Sequence, residues 1–346
     1  MKILLTGNMG YIGASVVDQL RRSYPDAELI GLDLGFFAHC LTGMTLPETR
    51  LDKQIFADVR LVNTEIFKDV YAVIHLAAIS NDPMGNIFEQ VTHDINCKAS
   101  IRIAQLAKQM GVKRFIFASS CSIYGFSEGG PRKEEDDLNP LTAYARSKIG
   151  TEKGILELAS KDFVITSLRF ATACGMSERL RLDLVVNDFV AGAVAFNKIE
   201  ILSDGSPWRP LIHIKDMARA MDWGVSRESS NGGAFLAVNI GSKEWNYQVK
   251  ELAEGVLKII PGVQITINKN APPDRRSYQV DFSKFRELAP NYQPQIDLIE
   301  TVRELKEGLE LIKFKDFDFR NSDFMRLKVL TGFRERNKIN EKLEWV

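Results

Sequence analysis

The spacing of apolar residues changes period repeatedly along this chain. Short apolar runs alternate, through the first half, with stretches in which apolar residues recur every three or four positions. Residues 2–6 read as a buried strand, 7–13 as a tight turn, and 14–22 as a helix with Val16, Val17 and Leu20 inward. Further strands are expected at 28–32, 54–57, 72–76, 114–119 and 164–170, with the clearest helices at 92–110 and 142–159. Such alternation predicts an α/β fold with a doubly wound parallel sheet. Ligands of such sheets bind beyond the C-terminal ends of the strands.

After about residue 171 the alternation loosens. Short strands at 200–202, 211–214, 234–240 and 264–267 mix with helices and with turns rich in Pro, Gly and Asp. The expected organisation is a first domain over 1–170 and a smaller C-terminal α/β domain over 171–312, some segments of which return to the first sheet. An extension follows at 313–346. There Phe324, Met325, Leu327, Val329 and Leu330 stand between lysines and arginines, as in one or two amphipathic helices packed on the outside or on a neighbouring subunit.

The turn after the first strand reads Gly7-Asn8-Met9-Gly10-Tyr11-Ile12-Gly13. A diphosphate can sit on the free N–H groups of a helix N-terminus only if the backbone comes close, which excludes side chains at some turn positions. The G-x-x-G-x-x-G spacing is less common than G-x-G-x-x-G, and glycines here would also serve simple close packing. The surroundings favour the nucleotide reading. The second strand ends in Asp33, twenty positions beyond Gly13, where a carboxylate would bind adenosine ribose hydroxyls. Asp33 would repel a 2′-phosphate, and no Arg follows in Leu34-Gly35-Phe36-Phe37, so NAD is expected rather than NADP.

The helix that opens near Thr142 carries Tyr144 and Lys148 four positions apart, on one face. A free tyrosine is a poor base at neutral pH, with a pKa of about 10. A cation about 4 Å away, at an effective dielectric near 20, favours the phenolate by about 4 kcal/mol, or roughly three pKa units. Tyr144 would then titrate close to neutrality, where general acid/base catalysis is effective. Ser122, in the Ser119-Ser120-Cys121-Ser122 segment after the fifth strand, is expected to hold the substrate oxygen in line.

Bulk composition changes this picture little. The 346 residues are 45% apolar, enough for one large unit or two domains with a buried core. Forty-five basic residues balance 45 acidic ones, and the longest charge cluster, 132–137, mixes signs. Neither nucleic acid nor an anionic membrane is called for. No run approaches the roughly 20 apolar residues of a membrane span, and the glycines interrupt the first strand before a leader-like core can form. Cys40, Cys97, Cys121 and Cys174 show no C-x-x-C spacing, and His39, His75, His93 and His213 form no ligand pair. A cytoplasmic protein without a structural metal is expected.

Taken together, the T-G-x-x-G-x-x-G turn, Asp58-Val59, His75-Leu76-Ala77-Ala78, Asn96, the Ser122/Tyr144/Lys148 set and Arg169-Phe170 carry a resemblance over about residues 1–310. The chain resembles the extended short-chain dehydrogenase/reductases that act on nucleotide-activated sugars. The resemblance implies a Rossmann-type sheet, NAD as cofactor, a nucleotide-sugar substrate and a homodimer paired through the helices at 92–110 and 142–159, which would need an exposed apolar stripe on both. It assigns Ser122, Tyr144 and Lys148 to catalysis. Beside the turn from Gly7 to Gly13 and Asp33, it assigns Asp58, Val59, Leu76, Ala77, Ala78, Asn96, Ser119 and Phe170 to the cofactor, together with Tyr144 and Lys148. Arg209, in Asp204-Gly205-Ser206-Pro207-Trp208-Arg209-Pro210, and Arg276, in Pro273-Asp274-Arg275-Arg276-Ser277-Tyr278, resemble the family's diphosphate ligands. Arginine suits that task because its planar fork donates two parallel charge-assisted hydrogen bonds.

Departures from the family pattern narrow the reaction. Sugar-nucleotide 4,6-dehydratases usually carry Thr-Asp-Glu after the fifth strand; Ser-Cys-Ser stands at 120–122, without a carboxylate and closer to the Ser-Ser-Ala-Thr-Val-Tyr-Gly of 4-epimerases. The segment Phe170-Ala171-Thr172-Ala173-Cys174-Gly175 lacks the Asn that many epimerases place there. The stretch 177–189, with Arg179, Arg181 and Asn187, is similar to a subgroup from bacterial surface-polysaccharide pathways that includes dehydrogenases as well as epimerases. Thr172, Arg179 and Asn187 are accordingly expected at the substrate, with Ser122. The leading expectation is an NAD-dependent nucleotide-sugar epimerase. Its rivals are a dehydrogenase or 4-ketoreductase using the same residues, and a non-catalytic nucleotide sensor on the same fold.

Overall fold

The computed structural model describes residues 1–126, 129–271 and 277–346. The chain begins β1 (Lys2–Thr6), α1 (Gly13–Ser23), β2 (Glu28–Asp33), β3 (Lys53–Phe56) and β4 (Ala72–His75). Next come α2 (Asp82–Ile87), α3 (Glu89–His93), a π-helical turn (Asp94–Ala99) that runs on into α4 (Ser100–Gln109), β5 (Arg114–Ser120), α5 (Ala143–Leu156) and β6 (Val164–Phe170). The second half adds β7 (Thr172–Cys174), α6 (Val185–Phe196), β8 (Lys198–Ile201), β9 (Trp208–His213), α7 (Ile214–Ser226) and β10 (Phe235–Ile240). It ends with β11 (Asn246–Gln248), α8 (Val249–Ile259), β12 (Gln264–Ile267), α9 (Ser283–Leu288), α10 (Leu298–Leu311) and α11 (Arg326–Glu335).

Seven parallel strands form the main sheet in the order β10-β6-β5-β4-β1-β2-β3. A parallel sheet covered on both faces needs strands that are apolar on both faces. β1, β4 and β6 meet that need, buried along nearly their whole length. α1 buries Val16, Val17 and Leu20 against the sheet. The order reverses between β1 and β4, which opens a crevice at their C-terminal ends. The strand expected at 234–240 is the sheet's edge, and α7 before it packs on α1, so this part of the second half completes the main sheet. Two small sheets, β11-β9-β7 and β12-β8, build the remaining layer.

α4 and α5 approach each other closely because α5 carries glycines. A Cβ at Gly154 would lie 2.3 Å from the Ile101 side chain, and one at Gly150 would lie 2.8 Å from Cys97 Sγ. The outward positions of α3, the π-helical turn, α4 and α5 are mostly polar, among them Glu89, Gln90, His93, Lys98, Gln105, Lys108, Arg146 and Lys153. Leu156 is the one large exposed apolar side chain on α4 or α5 among the described residues, and Ile101, Leu106 and Ile149 are half-buried. All four cysteines are buried and unpaired. No helix among the described residues is long and apolar enough to cross a membrane.

Candidate active site

A cleft open to solvent lies over the C-terminal ends of β1, β2 and β4. Its floor is the glycine turn. Gly7, at φ +74°, leaves no room for a side chain: a Cβ there would sit 2.5 Å from Ala77 N. At Gly13 the Cβ would sit 1.9 Å from Asn8 O. These two glycines serve the packing of the turn itself. Gly10 lines the cleft, with only Gly7 O (3.2 Å) near its would-be Cβ, and is the position where a ligand gains a close approach to the backbone. Asn8 is buried and fixes the turn to β3 by donating to Gln54 Oε1 (2.7 Å).

Asp33 receives N–H groups from Met9 (3.0 Å) and Gly35 (2.8 Å), one on each carboxylate oxygen. Burial pushes its carboxyl above the usual range, and those two bonds hold it back. Each oxygen keeps a further acceptor site, so Asp33 can still take a hydroxyl from a ribose. Beyond it the cleft is walled by Leu34, Phe36, Phe37, Ala57, Asp58 and Val59, and on the other side by Leu76, Ala77 and Ala78. Tyr11 and Ile12 also line it. The Tyr11 hydroxyl donates to Gly175 O (2.6 Å), tying the turn to the second half of the chain.

Three residues expected at the cofactor stand behind this wall. Asn96 bonds both ways with the Ile79 backbone (2.8 and 2.9 Å) and donates to Ser147 Oγ (3.1 Å), so it shapes the loop after β4. Ser119 donates to Glu152 (2.6 Å), and Phe170 is packed in the core. His75 lies between Thr6 Oγ1 (2.6 Å) and Ser100 Oγ (2.7 Å), and burial holds it neutral with a pKa of about 3. Ser80, Ile95, Arg181 and Arg326 line the cleft without having been assigned to the cofactor from sequence. Arg181 stands in the stretch already noted for its arginines. Arg326 carries no local signal, because the partners that fix it at the cleft, Arg179 and Leu180, are more than a hundred residues away.

Thr142 caps α5, its side chain accepting from Ala145 N (3.2 Å), and so fixes Tyr144 in the first turn. Lys148 lies on the same face, its Nζ 5.4 Å from the Tyr144 ring centroid and donating to Ala118 O (2.6 Å). Burial lowers Lys148 to about 7, against the attraction of Glu152. Tyr144 departs from expectation. Burial, reinforced by the charge of Asp82, pushes it up to about 12, while a hydrogen bond with Ser120 and the charge of Arg181 work downward. Desolvation therefore outweighs the groups that favour the phenolate in the protein alone.

The structure pairs Tyr144 with a serine other than the one expected. The hydroxyl bonded to Tyr144 is that of Ser120, and Ser120 Oγ further accepts from Ser122 N (3.2 Å). Ser122 Oγ is buried without a hydrogen-bond partner among the described residues. The chain leaves β5 at Ser120 and enters a 3₁₀ turn, Cys121–Tyr124, so the alternation that would put both serines on one face ends there.

The expected substrate residues divide. Trp208 N bonds to Ser277 Oγ (3.1 Å), so the structure brings the segments around Arg209 and Ser277 together. Arg209, half-buried on β9, acts electrostatically on buried Tyr278, as do Asp82 and Tyr144. Arg276 lies outside the described residues. Thr172 is half-buried on β7, in register with Leu211 of β9. Arg179 lies elsewhere: it is fully buried and holds Glu48 through both carboxylate oxygens (2.7 and 2.9 Å). Asn187 is buried too, its amide used up on Gly175 N, Tyr11 Oη and Arg181 O. Both brace the site from behind.

A Rossmann-type sheet with a glycine turn at its switch point, and a Tyr-Lys pair on the helix beside it, defines the extended short-chain dehydrogenase/reductase class. Comparison with known proteins agrees. The model of the NAD dependent epimerase/dehydratase family matches residues 3–241, and the chain belongs to that family. It is 27% identical over 334 residues to UDP-glucuronic acid decarboxylase 6 of Arabidopsis thaliana, covering 92% of this chain and 90% of the relative. It is 28% identical over 313 residues to a putative UDP-glucose 4-epimerase of Methanocaldococcus jannaschii, covering 87% and 96%. Among solved structures, the UDP-glucuronic acid 4-epimerase of Bacillus cereus, in complex with UDP-glucuronic acid and NAD, superimposes with a TM-score of 0.77 at 22% identity, over 90% of this chain and all of that one (100%). The fold class and family expected from sequence are borne out. The family's members catalyse more than one reaction.

Proposed function

We propose that this chain is an NAD-dependent epimerase of a nucleotide-activated sugar. The reading rests on one observation above all: Tyr144, bonded to Ser120 and with Lys148 Nζ 5.4 Å from its ring centroid, feels the charge of Arg181, which lines the cleft, and no carboxylate stands in the 119–122 segment that would favour loss of water. The turn from Gly7 to Gly13, Asp33, Asp58, Val59 and Leu76 to Ala78 are the residues to hold NAD, which when bound supplies a reversible hydride acceptor. Tyr144 removes the proton from the sugar hydroxyl and later returns one; Ser120 orients that hydroxyl. Lys148, donating to the Ala118 carbonyl, keeps a positive charge near the phenol as it ionises. Arg209 and Arg276 are assigned to the substrate diphosphate, with Thr172 and the unpaired Ser122 hydroxyl toward the sugar. A soluble cytoplasmic homodimer remains the expected setting.

The test begins with the NAD content of desalted, denatured protein. Near-stoichiometric NAD supports epimerisation, in which the cofactor is regenerated in place, and UDP-glucose and UDP-glucuronic acid are the first substrates to screen without added cofactor. Tyr144→Phe is expected to keep binding NAD and nucleotide sugar while kcat falls about 1000-fold. An empty site together with NADH release on a nucleotide sugar would replace the epimerase with a dehydrogenase.

A further inference from the structure

The extension at 313–346 reaches into the cofactor cleft. Val329, Leu330 and Phe333 of α11 join the hydrophobic cluster that includes Phe36, Cys40 and Val59. Trp345 donates its indole N–H to Leu34 O (2.9 Å) and packs on Phe36, with ring centroids 5.1 Å apart. Arg60 grips the Asp58 carboxylate and donates to Lys342 O (2.7 Å) and Leu343 O (3.2 Å). The extension is thus fastened to both segments that flank the adenosine end of the cleft.

Arg326 is the residue this fastening delivers. It is 1% exposed and lines the cleft, its guanidinium 5.0 Å from the Phe37 ring centroid. Its donors reach the carbonyls of Asp323 (2.7 Å), Arg179 (2.8 Å) and Leu180 (3.0 Å), and it forms no ion pair among the described residues. The neighbouring cations are matched: Arg179 by Glu48 and Arg181 by Asp183 (2.8 and 3.0 Å). Burial lowers Arg326 to about 10. A buried charge without a counter-ion is costly, and here it borders a cleft whose floor is a glycine turn suited to anions.

We infer that Arg326 is a ligand for the diphosphate of the dinucleotide, supplied by the C-terminal extension, which is therefore part of the cofactor site. This rests on the cofactor reading proposed above. Asp33 argues against the ribose 2′-position as the phosphate concerned, since its carboxylate occupies that end of the cleft.

The experiment is calorimetric titration of nucleotide-stripped full-length protein with NAD, NADP, ADP-ribose and adenosine, in the wild type, Arg326→Met and Arg326→Lys. Arg326→Met is expected to bind NAD and ADP-ribose about 10- to 100-fold more weakly, with adenosine changed by no more than about 3-fold and Arg326→Lys intermediate. Unchanged ADP-ribose affinity in Arg326→Met overturns the inference, as does a loss confined to NADP. Wild-type protein that binds none of the four overturns the cofactor reading beneath it. If Arg326→Met does not fold, hydrogen exchange in the wild type decides. ADP-ribose, but not adenosine, should slow exchange at residues 326–335, and no slowing by ADP-ribose would sink the assignment.

Discussion

Ser120 and Ser122 separate the two ways of reading the site at the level of single residues. Both hydroxyls were visible in the sequence, but which one meets Tyr144 depends on where β5 stops, and strand ends are the least legible part of a sequence. Ser120 is the last strand residue and bonds to Tyr144; Ser122 is one step into the 3₁₀ turn. Ser120→Ala removes a bond that favours the phenolate. It should lower kcat about 100-fold and move the acid limb of the pH–rate profile to higher pH, whereas Ser122→Ala should stay within about 5-fold of wild type. Equal losses in the two variants would refute the Ser120 assignment. Glu152 poses a different residue-scale question. It accepts from Ser119, Ser167 (2.9 Å) and Arg169 (2.8 Å) in a buried network. Glu152→Ala leaves the Arg169 guanidinium buried and unpaired, a cost of about 3–5 kcal/mol that chemical denaturation would register. A loss below about 1 kcal/mol would mean that water reaches the site.

Among the elements, those defined by local periodicity were legible and those defined by distant contacts were not. β1, α1 and β6 match their expected spans because both-face burial and a 3.6-residue period leave strong patterns. α2 was missed, although Asn81 caps it and Pro83 follows in its first turn, because six residues are too few for a periodic signal. The π-helical turn at Asp94–Ala99 has no signature of its own, and α11 is placed by contacts of Arg326 with Phe37 and of Phe333 with His39, about 300 positions earlier. The glycine turn was legible as a motif, yet its glycines differ in kind. In Gly13→Ala the new Cβ meets the Asn8 backbone, which cannot swing aside, so the turn must shift; a loss of about 2–4 kcal/mol is expected. Gly10→Ala should fold with stability within about 1 kcal/mol of wild type, because its Cβ meets no side chain. Its methyl group enters the cleft, so NAD affinity should fall by about 10-fold or more. Thermal denaturation and NAD titration of the pair test this; the idea fails if Gly10→Ala is the more destabilised of the two.

For the whole molecule, the groups that equip the site also shape its stability against pH. Lys148 titrates at about 7 when folded, whereas an exposed lysine titrates at about 10.4. Below pH 7 both states carry its proton, and the folded state holds a buried ammonium. From pH 7 to about 10.4 the unfolded chain binds one proton more, so unfolding free energy rises with pH, by up to about 1.4 kcal/mol per pH unit. His75, held neutral down to about 3, acts in the same direction between about 3 and the ordinary histidine value near 6.5. The opposing groups are the thiols of Cys40, Cys97, Cys121 and Cys174, each raised by burial. They keep protons that the unfolded chain releases above about pH 8.5, so stability falls there. A maximum near pH 8 follows, with a rising limb between 7 and 8 that belongs mainly to Lys148. Lys148→Met should flatten that limb and, by removing a buried charge, make the protein more stable than wild type at pH 6.5 while abolishing turnover. Urea midpoints for both proteins from pH 6.5 to 9.5 test the argument. Parallel curves would show that Lys148 keeps its ordinary pKa in the folded protein, leaving a full positive charge beside Tyr144 throughout that range.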